Sequence, residues 1–137
     1  MYGVLWRIHA ILMSSSFIAL AAGIVISILY KKRKWRYKAH QRLGIYAGTS
    51  GLTALILAGI MVQAYSGYHL NSTHAILGLT SGLLLILTPI AGLRMKKAVN
   101  KKRLRLIHRI LGGLTAVMML ITILLGLGYT GIIYLPI

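Results

Sequence analysis

The sequence predicts an all-α, polytopic membrane protein folded as an antiparallel four-helix transmembrane bundle. Three observations carry that prediction. Hydrophobic residues fill 58% of the 137 positions, and the mean hydropathy is +0.79. The apolar residues gather into four runs, Ile8–Tyr30, Leu43–Leu70, Ser72–Leu93 and Ile110–Ile137. Fifteen of the sixteen Lys and Arg residues fall at the first and third junctions between these runs. At about 1.5 Å of rise per residue, each run is long enough to cross roughly 30 Å of hydrocarbon. We read residues 1–137 as one transmembrane domain with spans at about 4–30, 39–64, 72–93 and 105–128, leaving no room for a soluble domain.

The first run is expected to be a retained helix. A signal peptide carries its cations ahead of the apolar stretch. Here only Arg7 precedes the run, and a dense cluster follows it. That cluster is Lys31, Lys32, Arg33, Lys34, Arg36, Lys38 and Arg42; the second is Arg94, Lys96, Lys97, Lys101, Lys102, Arg103, Arg105 and Arg109. The middle linker, Gln63–Asn71, has no cation. The positive-inside rule then places both basic linkers in the cytoplasm and both termini outside. A formal charge of +16 on so apolar a chain points to anionic lipid headgroups, not to nucleic acid.

Asp, Glu and Cys are all absent. That excludes a carboxylate dyad, a Ser-His-Asp triad and a side-chain carboxylate cage for Ca²⁺ or Mg²⁺. It also excludes disulfides, thiolate nucleophiles, iron–sulfur clusters and Cys-x-x-Cys-His haem attachment. Five histidines remain as strong ligands. Four of them, His9, His40, His74 and His108, are 31, 34 and 34 residues apart, one near the start of each span. Successive spans run in opposite directions, so His9 and His74 belong to the outer side and His40 and His108 to the inner side. From His9 to Lys31 is 22 residues and from His74 to Arg94 is 20; from His40 to Gln63 is 23 and from His108 to Tyr129 is 21. Each pair therefore sits within about one helical turn of equal depth. Parallel spans are diagonal partners in a ring of four, and diagonal histidines can grip a planar macrocycle from both faces. His69 falls in the middle linker and reads first as an interfacial loop residue.

Below each histidine runs a helical face of small residues, stepped by four and three. These faces are Met13, Ser16, Leu20, Gly23, Ser27; Gly44, Ala47, Gly51, Ala54, Ala58; Gly78, Ser81, Leu85, Thr88, Gly92; and Gly112, Thr115, Met119, Thr122, Gly126. Small residues let membrane helices approach closely. They also leave room for a flat cofactor, and Gly44, Gly78 and Gly112 place that room one turn from His40, His74 and His108. Two imidazoles without carboxylate or thiolate make a poor zinc site. They suit the axial positions of a non-covalent haem, so two haem b groups are expected, their irons about 20 Å apart along the membrane normal. Propionate partners are expected from Lys38, Arg42, Arg105 and Arg109 inside, and from Arg7, Tyr68, His69, Asn71 and Ser72 outside.

The chain resembles the cytochrome b561 family over its whole length. The match lies in His9, Met13, Tyr30 and Lys31 of the first helix, in His74-Ala-Ile-Leu77-Gly78 followed by Gly92 in the third, and in His40-Gln-Arg-Leu43-Gly44 and His108-Arg-Ile-Leu111-Gly112 in the second and fourth. The resemblance implies two b-type haems in four consecutive helices, joined by His pairs on alternate helices. It also implies electron transfer from a cytoplasmic donor to an outer acceptor such as ferric iron. Lys34 and Lys38 match lysines that help the family bind its cytoplasmic reductant. Familiar eukaryotic members carry a further helix at each end that this sequence lacks. The donor thus stays open between ascorbate, a quinol and a redox protein, ferric reduction is one candidate activity, and a homodimer is one candidate assembly. Two other readings stand beside this one: a haem b anchor subunit of a quinone-linked oxidoreductase, and a haem-free channel whose histidines titrate.

Overall fold

Nothing in the first turns of these helices is acidic, so their ends rely on neutral caps and on continuity of the apolar runs. A computed structural model describes residues 2–95 and 97–132. Four α-helices follow one another: α1 (Tyr2–Leu29), α2 (Arg36–Tyr65), α3 (Thr73–Arg94) and α4 (Lys101–Tyr129). Each is long and apolar enough to cross a membrane, and no strand occurs among the described residues. The protein is an integral, multi-pass, all-helical membrane protein. Met1, Lys96 of the second basic cluster and residues 133–137, which end the fourth apolar run, lie outside the described residues.

The Ser72 hydroxyl caps α3 by accepting from the Ala75 N–H, and the Asn100 side chain caps α4 by accepting from the Arg103 N–H. A side-chain oxygen at this position satisfies one of the orphan N–H groups of the first turn. Just past the end of α2, Gly67 has a φ of 68° and its N–H returns to the Val62 carbonyl at 2.9 Å. Helices α2 and α4 begin within their basic clusters, at Arg36 and Lys101. Lys and Arg are good helix formers, so the helix continues where the apolar run has stopped. Pro89 lies inside α3; it removes one ladder bond, which packed membrane helices tolerate.

The helices form a ring in chain order, with α1 most closely packed on α2 and α3 on α4. Contacts between these two hairpins are sparser, and α1–α3 and α2–α4 are the diagonals. The interior is made of small and hydroxylated residues: Ala47, Ala54, Ser16, Ser81 and Thr115 are buried, together with Leu85 and Met119. The large aliphatics point outward, among them Ile11, Ile18, Ile56, Leu83, Ile110 and Val117. This inversion is what lipid demands. Tails as apolar as leucine provide no hydrophobic drive between helices, so close packing and hydrogen bonds hold the bundle.

The two kinds of contact are divided between the interfaces. Within the first hairpin, Ser16 donates to the Ala47 carbonyl at 2.7 Å and Ser50 to the Leu12 carbonyl at 3.0 Å. Within the second, the hydroxyls of Ser81 and Thr122 lie 3.2 Å apart and those of Thr88 and Thr115 3.1 Å apart, while each donates its proton to the carbonyl four residues earlier on its own helix. Each interhelical hydrogen bond of the first hairpin contributes about 0.6 kcal/mol in a membrane; in the second, the hydroxyl pairs give close polar contact. Between the hairpins the contact is steric. Leu85 of α3 fills the space where Gly51 of α2 has no side chain, and Leu55 of α2 lies where a Cβ on Gly82 of α3 would stand 2.8 Å away.

Replacing Gly51 with Val is expected to force α2 and α3 apart. The cost of overpacking is about 1–3 kcal/mol, seen as a lower midpoint of thermal unfolding in detergent. Gly59→Ala, at a position with open space around it, is expected to leave that midpoint unchanged or slightly raised.

Candidate functional site

The four stripe histidines are held in one manner. The Nδ1 of His9 lies 2.9 Å from the Ala54 carbonyl, that of His40 2.9 Å from the Gly23 carbonyl, that of His74 3.0 Å from the Thr122 carbonyl and that of His108 2.9 Å from the Thr88 carbonyl. A carbonyl oxygen only accepts, so each Nδ1 carries the proton and donates it. In the neutral ring the lone pair is then on Nε2, directed away from the carbonyl. None of the four Nε2 atoms bonds to protein among the described residues. Ligating histidines usually donate their second ring nitrogen to a carboxylate or a carbonyl. In a chain without side-chain carboxylates, a carbonyl of the neighbouring helix takes that place beside each ring.

The acceptors come from the lower ends of the small-residue faces. The face that starts beneath His9 passes Gly23, which receives His40. The face beneath His40 passes Ala54, which receives His9. The faces of His74 and His108 exchange in the same way through Thr88 and Thr122. Each hairpin therefore holds one histidine near each of its ends.

Across the diagonal α2–α4, the rings of His40 and His108 are 5.8 Å apart between centroids, with their planes at 90°. Two imidazoles holding one metal ion at about 2.0 Å through ring nitrogens have centroids about 6 Å apart. The pair is thus spaced to ligate one ion from two sides. On the other diagonal, His9 lies within electrostatic range of His74, and the ring of Tyr129 stands edge-on to His74 at 6.1 Å. No group of three or more His, Cys, Asp or Glu occurs among the described residues. The arrangement offers two imidazoles per end, too few by themselves to fill a coordination sphere.

The basic end of the bundle opens as a cleft of about 480 Å³. It is lined by His40, His108, Arg36, Lys101, Arg105, Arg109, Tyr37, Ser27 and Met95. A smaller void of about 50 Å³ also touches His40 and is walled by Ala19, Gly23, Gly44, Ala47, Thr88 and Gly112, among others. Gly44 and Gly112 are therefore brought together beside His40. Gly78 instead packs toward Thr122, where a Cβ would stand 3.6 Å from the threonine methyl.

The charged residues separate by helix face. Arg105 and Arg109 line the cleft; Lys34, Lys38 and Arg42 are exposed and do not. Residues two positions from His40 lie about 200° around the helix, on the far side. Sequence reasoning missed Arg36 and Lys101, which stand four and seven residues before a histidine and so share its face. It also missed Tyr129, three residues beyond Gly126. At the neutral end, Arg7 is exposed and lies 5.6 Å from the Trp6 ring centroid. His69 is engaged with the Gln63 side chain at 2.9 Å, and Ser72 is engaged in capping α3.

Fold and site together define a multi-pass membrane protein that presents paired, carbonyl-anchored histidines toward both ends of a four-helix bundle. The family model for eukaryotic cytochrome b561 matches residues 8–133, and the chain belongs to that family. Its members bind haem b and carry electrons across membranes, and transmembrane electron transfer is the function of this protein. No curated protein matches the chain, and no solved structure matches it.

Proposed function

We propose that the protein conducts electrons through two haem b groups, one ligated by His9 and His74 and the other by His40 and His108. One observation carries this reading. Four Nδ1–H groups are anchored on carbonyls, leaving four Nε2 lone pairs in two diagonal sets. The residues fit the group: neutral axial nitrogens, a ring spacing of 5.8 Å at the basic end and a glycine-walled void beside His40. When bound, haem would supply a one-electron iron couple, held by the histidine pair at each end.

The chain's own residues do the rest. Gly44, Gly78 and Gly112 keep side chains out of the space one turn from three of the ligands. Lys101, Arg105 and Arg109, with Arg36 beside them on the Ser27 carbonyl, line the mouth of the basic cleft and would meet propionates there, and Arg7 is the cation available at the other end. Arg42, outside the cleft, is left to lipid phosphate. Between the ends, Leu85 is 2% exposed and Met119 is 0% exposed. The buried hydroxyls around them are all bonded, and no buried side-chain nitrogen or oxygen among the described residues lacks a partner. Such a dry, satisfied layer excludes water. It suits passage of electrons and argues against a hydrated channel.

In this reading both basic linkers face the cytoplasm, with the termini outside. Lys34 and Lys38 stand on the exposed rim for an anionic donor such as ascorbate, and the outer acceptor is an oxidant such as ferric iron. A quinol or a redox protein is the alternative donor.

Purified protein is expected to show b-type absorption with two haems per chain. His40→Ala and His108→Ala should each lose one haem and keep the other; equal loss of both in each variant contradicts two separate sites. A colourless, iron-free protein overturns the reading. Orientation is checked on the natural cysteine-free background. A thiol introduced as Val99→Cys in the second basic linker should react with an impermeant maleimide only from the cytoplasmic side, and one introduced as Tyr68→Cys only from outside. For the donor, Lys34→Gln with Lys38→Gln should slow reduction by ascorbate several-fold at low salt, with the difference shrinking as ionic strength rises. Rates in the parent protein that ignore salt point to a quinol.

A further inference from the structure

The four histidines are anchored alike at Nδ1 but are seated differently. Four residues beyond each acceptor carbonyl, one turn nearer the same end of the bundle, the partner helix presents a second position to the ring. For His74 and His108 it is Gly126 and Gly92; at the equivalent sequence positions for His9 and His40 stand Ala58 and Ser27, which carry a Cβ, while a Cβ on Gly23, the acceptor of His40, would meet its Nδ1 at an ordinary 3.5 Å. A Cβ on Gly126 would stand 2.9 Å from Cε1 and 3.3 Å from Nδ1 of His74. A Cβ on Gly92 would stand 3.0 Å and 3.3 Å from the same atoms of His108. Carbon atoms settle at about 3.5–4.0 Å, so a methyl group at either seat would have to push the ring away by some tenths of an ångström. The obstacle is the ring itself, tethered by its hydrogen bond to that same helix, and so it cannot swing aside freely.

We propose that Gly92 and Gly126 are positioning residues, each fixing the ring plane and the Nδ1 hydrogen bond of one haem ligand. This rests on the two-haem reading above. Its consequence is a built-in asymmetry. Each haem would have one imidazole, supplied by the α3–α4 hairpin, pressed closely on a glycine of the partner helix, and one, supplied by the α1–α2 hairpin, whose equivalent position is not glycine. The physical link to function runs through the Nδ1–H···O=C bond. A methyl at either glycine pushes the ring off its seat and lengthens that bond. A weaker bond makes the imidazole a poorer donor, which disfavours the ferric state and raises the potential of that haem alone.

The test compares Gly92→Ala, Gly126→Ala and, as a control in open space, Gly113→Ala. All are purified with haem bound. Haem content, the two midpoint potentials and the low-spin electron paramagnetic resonance signals are read for each. His40→Ala and His9→Ala assign the signals to the two ends. Gly92→Ala should raise the potential and move the resonance of the basic-end haem, or cost that haem alone, leaving the other unmoved. Gly126→Ala should do the same at the neutral end, and Gly113→Ala should do neither. Unmoved signals in both glycine variants overturn the proposal, as do equal shifts or joint loss of both haems, or the same effect from Gly113→Ala. A parent protein without haem overturns the two-haem reading itself, before any variant is compared.

Discussion

A histidine nitrogen that faces a backbone carbonyl must carry its proton there, and this constraint operates four times in the bundle. It selects the tautomer, aims Nε2 away from the anchoring helix and ties each histidine to a carbonyl on the antiparallel neighbour. The register of each hairpin follows. His74 reaches Thr122 and His108 reaches Thr88 only if α3 and α4 slide to one relative depth; the exchange of His9 with Ala54 and His40 with Gly23 sets α1 against α2 in the same way. A helix slipped by one turn, about 5.4 Å, would lose both anchors of its hairpin at once.

Packing serves that register with unusual means. A chain with no acidic side chain can build no ion pair between side chains, and lipid removes the hydrophobic drive between helices. Buried hydroxyls therefore stitch each hairpin internally, while leucine-into-glycine contacts at Gly51 and Gly82 space the hairpins from one another. Tight joints lie within the hairpins and looser ones between them. The rings of His40 and His108 approach each other from different hairpins, across the α2–α4 diagonal.

Much of this was legible in the chain itself. Apolar runs revealed four helices, because crossing hydrocarbon imposes a length and a composition that no loop can satisfy. The stripes of Gly, Ala, Ser and Thr revealed the inward faces, and Ser16, Ala47, Ser81 and Thr115 are indeed buried. The partners of the cations were less legible. Nearness in sequence suggested Lys38 and Arg42 beside His40, yet the helical rotation of about 200° over two residues carries both away from the cleft that Arg36 and Lys101 line. The helical period that exposed the stripes would also have separated these residues.

Sequence alone determined that the protein is a four-helix membrane bundle with one histidine at the head of each small-residue face. Those properties are local: they depend on composition and on a period of 3.6 residues. Only the tertiary structure decided which carbonyl each histidine meets, that the far end of each face cradles its neighbour's ring, and that the rings of His74 and His108 press on Gly126 and Gly92 more closely than an ordinary Cβ contact allows. Such facts depend on the relative depth and rotation of two helices. Depth and rotation are set by many weak contacts summed across an interface, and no single segment of the chain contains them.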